Sequence, residues 1–195
     1  MKKKQNRLCL AILAGLAFWA VPTVSSAWII EDLGDLPGGT SFSEGQGLND
    51  MGDVVGYGTT ATTNEAFIWK RGTGMSALGR LVGNSYCSAN GINDSGLVAG
   101  FCDSAPASKR IATMWQNGAP KAITFSSGTL SSEALAVNNL GEVSGTYRQN
   151  VASSILDQAF TVDTRIVNAV ARGITPLPAD LSGSGRGNAI NGQGY

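Results

Sequence analysis

The chain has 195 residues, with 14 Lys or Arg, 14 Asp or Glu and no histidine. Four of the bases and none of the acids stand before residue 28, so the remaining 168 residues hold 10 bases against 14 acids, a net charge of −4. That balance excludes a basic stripe of the kind that binds nucleic acid by counterion release. The absence of histidine excludes Ser-His-Asp and Cys-His nucleophile pairs and histidine-based zinc sites.

Residues 1–27 read as a secretory signal peptide with a helical apolar stretch. Lys2, Lys3, Lys4 and Arg7 form a basic start, and Leu8 to Val21 an apolar run of 14 residues. Pro22 breaks the run, and Val24-Ser25-Ser26-Ala27 places small residues before a cut after Ala27. The run is shorter than the roughly 20 residues needed to span a bilayer, so no membrane span is expected once the segment is removed. Cys9 follows Asn6-Arg7-Leu8, where a lipidation site needs small residues. The expected location is outside the cytoplasm: secreted, periplasmic or extracellular, where disulfides persist.

Residues 28–195 carry an internal repeat. Gly47-Leu48-Asn49-Asp50-Met51-Gly52-Asp53-Val54-Val55-Gly56 returns as Gly91 to Gly100 and again as Ala136 to Gly145. A fourth copy begins at Ala189-Ile190-Asn191 and ends with the chain at Tyr195. Ala66-Phe67-Ile68-Trp69, Ala112-Thr113-Met114-Trp115 and Ala159-Phe160-Thr161-Val162 follow the three complete copies. Leu33-Gly34-Asp35-Leu36-Pro37-Gly38-Gly39 precedes the first copy, and Leu78-Gly79-Arg80-Leu81-Val82-Gly83 the second.

Asn can hydrogen-bond its own backbone two residues on, and Gly three residues later accepts positive φ. Flanked by β-prone residues, the ten-residue unit predicts a hairpin with a type I turn and a glycine bulge. Asn49, Asp50 and Gly52, Asn93, Asp94 and Gly96, and Asn138, Asn139 and Gly141 are therefore turn residues. The Phe-x-Trp and Leu-Gly-x-Leu segments supply two further strands. Four short strands in about 45 residues is the size of a propeller blade. The predicted fold is all-β: a propeller-like array of about three and a half repeats, near 28–72, 73–118, 119–164 and 165–195. A β-solenoid or an irregular sandwich of hairpins is the alternative. The expected core is Leu48, Val54, Phe67, Trp69, Ile92, Val98, Met114, Trp115, Val137, Val143 and Phe160. An incomplete fourth repeat falls short of the about four blades that close a ring, so association with another repeat chain or marginal stability is expected.

These residues resemble the HAF repeat family of bacterial extracellular proteins, which carries a Leu-Gly-x-Leu-x-Gly-Gly opening, an Ile-Asn-Asp-x-Gly-x-Val-Val-Gly hairpin and a His-Ala-Phe-x-Trp strand. The resemblance covers nearly all of residues 28–195. It departs at Glu65, Ile111 and Gln158, which stand in place of the family's histidine, and at Asn139 and Val162. It implies a propeller-like fold and an extracellular location, and assigns no activity.

Three chemistries are weighed against the repeat. Cys87 and Cys102 lie symmetrically about the Asp94-Ser95 tip, opposite or near one another across the hairpin, as a disulfide requires. Two buried free thiols or a redox pair are the alternatives. The Asn-Asp tips offer one or two carboxylates each, against the six to eight oxygens calcium takes, so turn chemistry is preferred and calcium is the minor alternative; no other cofactor is expected. Glycoside hydrolysis needs two acids facing one cleft. Glu31, Asp32 and Asp35 cluster on the N-terminal segment, whereas Asp50 and Asp94 recur as turn features. Aromatic residues with a fixed place in the repeat suit blade packing better than carbohydrate stacking. Met75 and Arg80 are read as parts of connecting segments without pattern. The reading is a non-catalytic, exported β-repeat protein, a surface binding or adhesion module. A structural remnant without activity and a secreted carbohydrate-active enzyme are the alternatives.

Overall fold

Each hairpin tip closes in the same way. In the computed structural model, which describes residues 28–40, 42–104, 109–125, 128–151, 154–165, 172–173 and 189–190, the Gly52 N–H donates to the Asn49 carbonyl (3.1 Å), Gly96 to Asn93 (3.0 Å) and Gly141 to Asn138 (3.1 Å). These glycines have φ of 81°, 78° and 82°. That left-handed backbone is costly for residues with a Cβ, so the predicted turn with its glycine bulge is present three times.

The strands are β1 (Ser43–Leu48), β2 (Val54–Thr59), β3 (Asn64–Lys70), β4 (Gly74–Ala77), β5 (Asn84–Ile92), β6 (Val98–Ser104), β7 (Lys109–Gln116), β8 (Ala119–Ala122), β9 (Thr129–Val137), β10 (Glu142–Val151), β11 (Ser154–Asp163) and β12 (Arg172–Gly173). They form three four-stranded antiparallel meanders, ordered β1-β2-β3-β4, β5-β6-β7-β8 and β12-β11-β10-β9. None is closed, and the described residues contain no helix. The compact unit that holds them begins at Asp32. The signal segment expected at residues 1–27 and the fourth hairpin expected beyond Ile190 lie outside the described residues.

The fourth strand of each sheet is not Leu-Gly-x-Leu. β4 and β8 stand just before those segments or their equivalents, past the repeat boundaries at 72 and 118 drawn from the sequence. Met75 is thus a strand residue, and Leu33, Leu36, Leu78 and Leu81 lie outside the strands. Their role is to fill the layers. Leu33 and Leu36 pack with Val54, Phe67, Trp69 and Met75 on one face of the first sheet. Leu78 and Leu81 fill the layer between the first and second sheets, with Val55, Ala66, Ile92, Val98 and Trp115. Ile123 and Phe125 do the same between the second and third, with Ala99, Ala134, Val143, Phe160 and Val162.

This layering explains the departures from the expected core. Ile92 is buried because a sheet lies in front of it, whereas its counterpart Leu48 is 68% exposed. The first sheet has only the Leu33–Leu36 segment on that side, and Val54 is half-buried for the same reason. Met114 and Val137 are also half-buried. Phe67, Trp69, Val98, Trp115, Val143 and Phe160 are buried as expected.

A bulge recurs in the strand before each tip. Gln46, Asn90 and Leu135, each three residues before the repeat Asn, are the extra residues. The bulge pushes the carbonyls of Glu44, Ser88 and Glu133 against Gly56, Gly100 and Gly145, where any Cβ would overlap the oxygen. The last glycine of the motif is therefore required by a close backbone approach, a recognised companion of bulges.

Candidate functional site

The predicted turn residues do more than turn the chain. The amide oxygen of Asn49 accepts from the N–H of Asp53 (2.8 Å), that of Asn93 from Leu97 (2.9 Å) and that of Asn138 from Glu142 (2.9 Å). The bond reaches four residues on rather than two, and only Asn138 also accepts from the N–H two residues away. The amide nitrogens of the first two tips point to the next repeat, whereas that of Asn138 donates to the Glu142 carboxylate (2.7 Å). Asn49 donates to the carbonyl of Asn93 (3.1 Å), and Asn93 to that of Asn138 (2.9 Å). Beside them, the N–H of Asp50 donates to the Asp94 carboxylate (3.0 Å), and that of Asp94 to the Asn139 amide oxygen (2.9 Å). Asn139 also donates back to Asp94 (2.6 Å). Its departure from the motif thus converts a one-way contact into a two-way one. Both carboxylate oxygens of Asp94 are engaged in this ladder. Among the described residues no three Cys, Asp or Glu side chains gather where a metal ion would need them.

Cys87 stands directly opposite Cys102 and the two form a disulfide. The bridge is fully buried between the first and second sheets. By loop-closure entropy a bridge spanning 15 residues restricts the unfolded chain by about 3 kcal/mol. Asp32 accepts from the N–H of Gly34 (3.0 Å), a local turn contact. Of the residues in the family's histidine position, Glu65 pairs with Arg80 (3.4 Å) and Gln158 accepts from the Tyr147 hydroxyl (2.6 Å).

At the opposite end of the strands from the tips runs an aromatic row. Phe42 contacts Tyr57, Tyr57 contacts Tyr86 and Tyr86 contacts Phe101, with ring centroids 5.7, 5.9 and 5.6 Å apart. The Arg110 guanidinium lies 4.2 Å above the Phe101 ring, a cation–π contact. The row follows the repeat. Phe42 and Tyr86 each stand seven residues before the repeat Asn, and Tyr57 and Phe101 eight residues after it. In the third repeat the same positions are Ser131 and Thr146.

A cleft opens where those two aromatic side chains would stand. Its volume is about 340 Å³, and it is lined by Arg110, Ser131, Ser132, Glu133, Thr146, Tyr147, Arg148 and Asp157. The size falls in the range of small-ligand sites, but the lining is far more polar than usual. Its charged groups are held in pairs. Arg110 donates to Glu133 (2.8 Å), whose other oxygen accepts from Asn90 (3.3 Å). Arg148 grips Asp157 with two bonds, of 2.7 and 2.9 Å, the planar fork that fixes both partners. Burial pushes the neighbouring Asp103 carboxyl above its ordinary range, against the pull of Arg110. Burial also raises the Tyr86 and Tyr147 phenols, and a hydrogen bond to Glu44 raises that of Tyr57.

Sequence reasoning singled out none of the cleft residues, because it looked for what recurs. The signal was a failure of recurrence: two aromatic positions replaced by Ser131 and Thr146 at fixed offsets from Asn138. Compared with known proteins, the chain matches no protein-family model, no curated protein and no solved structure.

Proposed function

We propose that this chain is an exported, non-catalytic repeat module that presents a binding surface outside the cell, with its sheets stacked in a propeller-like manner. Support for the stacking comes from three meanders lying face to face, their hairpin tips joined by one ladder. The resemblance to the HAF repeats and the signal-like residues 1–27 support the location.

The observation that carries the binding role is the division of labour among polar groups. Acids and amides that recur with the repeat are engaged in the ladder. Arg110, Glu133, Arg148 and Asp157, which lie outside the recurring tip motif, meet at the cleft. Catalysis of glycoside hydrolysis needs one protonated and one ionised carboxyl. Glu133 and Asp157, the two acids lining the cleft, are each held by an arginine instead.

Surface plasmon resonance of the exported protein over immobilised extracellular-matrix proteins and glycans tests the reading. Saturable binding to at least one surface, without turnover of chromogenic glycosides, is the expected result. Glycoside hydrolysis, or no binding to any surface, would overturn it in favour of the enzyme or the inert remnant.

A further inference from the structure

We infer that the cleft between the second and third repeats is a binding site for a neutral oligosaccharide, with one sugar ring taking the place of the missing aromatic pair. The inference rests on the binding role proposed above and names its ligand class.

The argument starts from the interrupted row. In the first two repeats a pair of rings, Phe42 with Tyr57 and Tyr86 with Phe101, fills this place at 5.6–5.7 Å. Ser131 and Thr146 leave that space open in the third. On the side of the second repeat the wall is Arg110, whose guanidinium covers the buried Phe101 ring. What enters must therefore be ring-sized and able to lie beside a guanidinium face.

The polarity of the walls selects among such rings. Ser131 and Thr146 add hydroxyls, and two fixed Arg–carboxylate pairs place donors and acceptors side by side. These groups already hold one another, but a lipid or a purely aromatic ligand would displace the water on their remaining lone pairs and N–H groups and return no hydrogen bond, which disfavours its burial there. A polyhydroxylated ring can satisfy both kinds of group. Charge narrows the class further. Arg110 and Arg148 are balanced by Glu133 and Asp157, and residues 28–195 carry a net charge of −4, so no field favours an anionic sugar. Beyond Phe101, Tyr86 and Tyr57 are half-buried and Phe42 is 44% exposed. These rings continue the row from Arg110 and Phe101, so a chain leaving the cleft would run along partly exposed aromatic surface, which favours a chain over a monosaccharide.

The test uses the exported protein on an array of neutral oligosaccharides built from hexose, pentose and N-acetylhexosamine units, with sulfated and uronic-acid oligosaccharides as a separate arm. Isothermal titration of the best neutral binder follows, on the unaltered chain, on Ser131→Phe and on Arg148→Ala. Ser131→Phe restores the residue that the first repeat carries, and the folded protein should lose binding by at least about tenfold, equivalent to 1.4 kcal/mol. If Ser131→Phe melts well below the parent, Arg148→Ala decides, since its side chain is exposed and its loss should leave the fold intact while weakening binding by a similar factor. Lys121→Ala, on β8 and away from the cleft, should bind as the parent does. Binding of acidic oligosaccharides only, no binding of neutral ones, or equal affinity in a folded Ser131→Phe variant would overturn the assignment. Matrix-protein binding without oligosaccharide binding would overturn this inference alone and leave the broader binding role standing.

Discussion

The two ends of the first hairpin in each repeat are built on opposite rules. At the tips the three repeats share one design: the same amide-oxygen bond four residues on and the same positive-φ glycine, with the first two tips making the same contact to the next repeat, at 3.1 Å from Asn49 and 2.9 Å from Asn93. At the far end they diverge. One register position holds Phe42, then Tyr86, then Ser131, and its neighbour holds Tyr57, then Phe101, then Thr146. Recurrence marks what the stack needs in order to grow, because each repeat must fit both the one before and the one after. Where recurrence lapses, the residue answers to something other than stacking.

If that contrast is right, substitutions at recurring positions should unfold the protein, while substitutions at the cleft should leave it folded. The largest effect is expected at Trp115. It is fully buried between the first and second sheets, and its indole N–H donates to the Gly79 carbonyl at 2.6 Å. Trp115→Ala opens a cavity and orphans that carbonyl, a loss of about 3–5 kcal/mol, measurable by urea unfolding. A loss below about 1 kcal/mol would mean that the sheets do not depend on this layer.

Gly100→Ala ranks next. Its cause is geometric, since the added methyl meets the Ser88 carbonyl that the Asn90 bulge pushes forward. One backbone strand has to shift, and overpacking of this kind costs about 1–3 kcal/mol. The control is Lys121→Ala on the exposed side of β8, where a change within about 0.5 kcal/mol is expected. Equal effects at the two positions would remove the reason given for the repeat's final glycine.

Much of the scaffold was legible in the sequence because turn chemistry is local. Asn93 and Gly96 announce a hairpin wherever they stand, and the symmetric placing of Cys87 and Cys102 follows from that hairpin alone. Leu48 shows where local reading stops. It has the same sequence neighbours as Ile92, yet it is exposed, because burial depends on whether another sheet is stacked in front of it. Leu-Gly-x-Leu was misread as a strand for a related reason. Its two leucines stand three residues apart, a spacing that would put them on opposite faces of a strand, and their apolar partners lie across a layer rather than along a sheet. The cleft was the least legible. Arg110, Glu133, Arg148 and Asp157 form no motif, and only the sheet registers bring them to one place.

The smallest effect expected tests the contrast at its weakest point, a charge pair beside the tips that does not recur. In the first repeat Lys70 pairs with Asp53 (3.2 Å). The third repeat places Asp163 opposite Glu142 instead, and like charges at such positions are unfavourable. Arg165 folds back to answer this, with its side chain on both Asp163 oxygens (2.8 and 2.7 Å) and its backbone N–H on one (3.0 Å). The Arg165 side-chain bonds, and then its backbone N–H, bring the Asp163 carboxyl down from 3.8 to about 2. A carboxyl lowered in the folded state contributes stability that is fully present above the unfolded value and is lost as pH falls through the folded one. The window is therefore from about pH 4 down to about pH 2. Solvent screening of an exposed pair holds the contribution below about 1 kcal/mol. Asp163→Asn should flatten the pH dependence of urea unfolding across that window by this small amount and leave oligosaccharide affinity unchanged. A larger loss, or any loss of affinity, would mean that non-recurring residues near the tips also carry the stack or the site, and that recurrence does not separate the two.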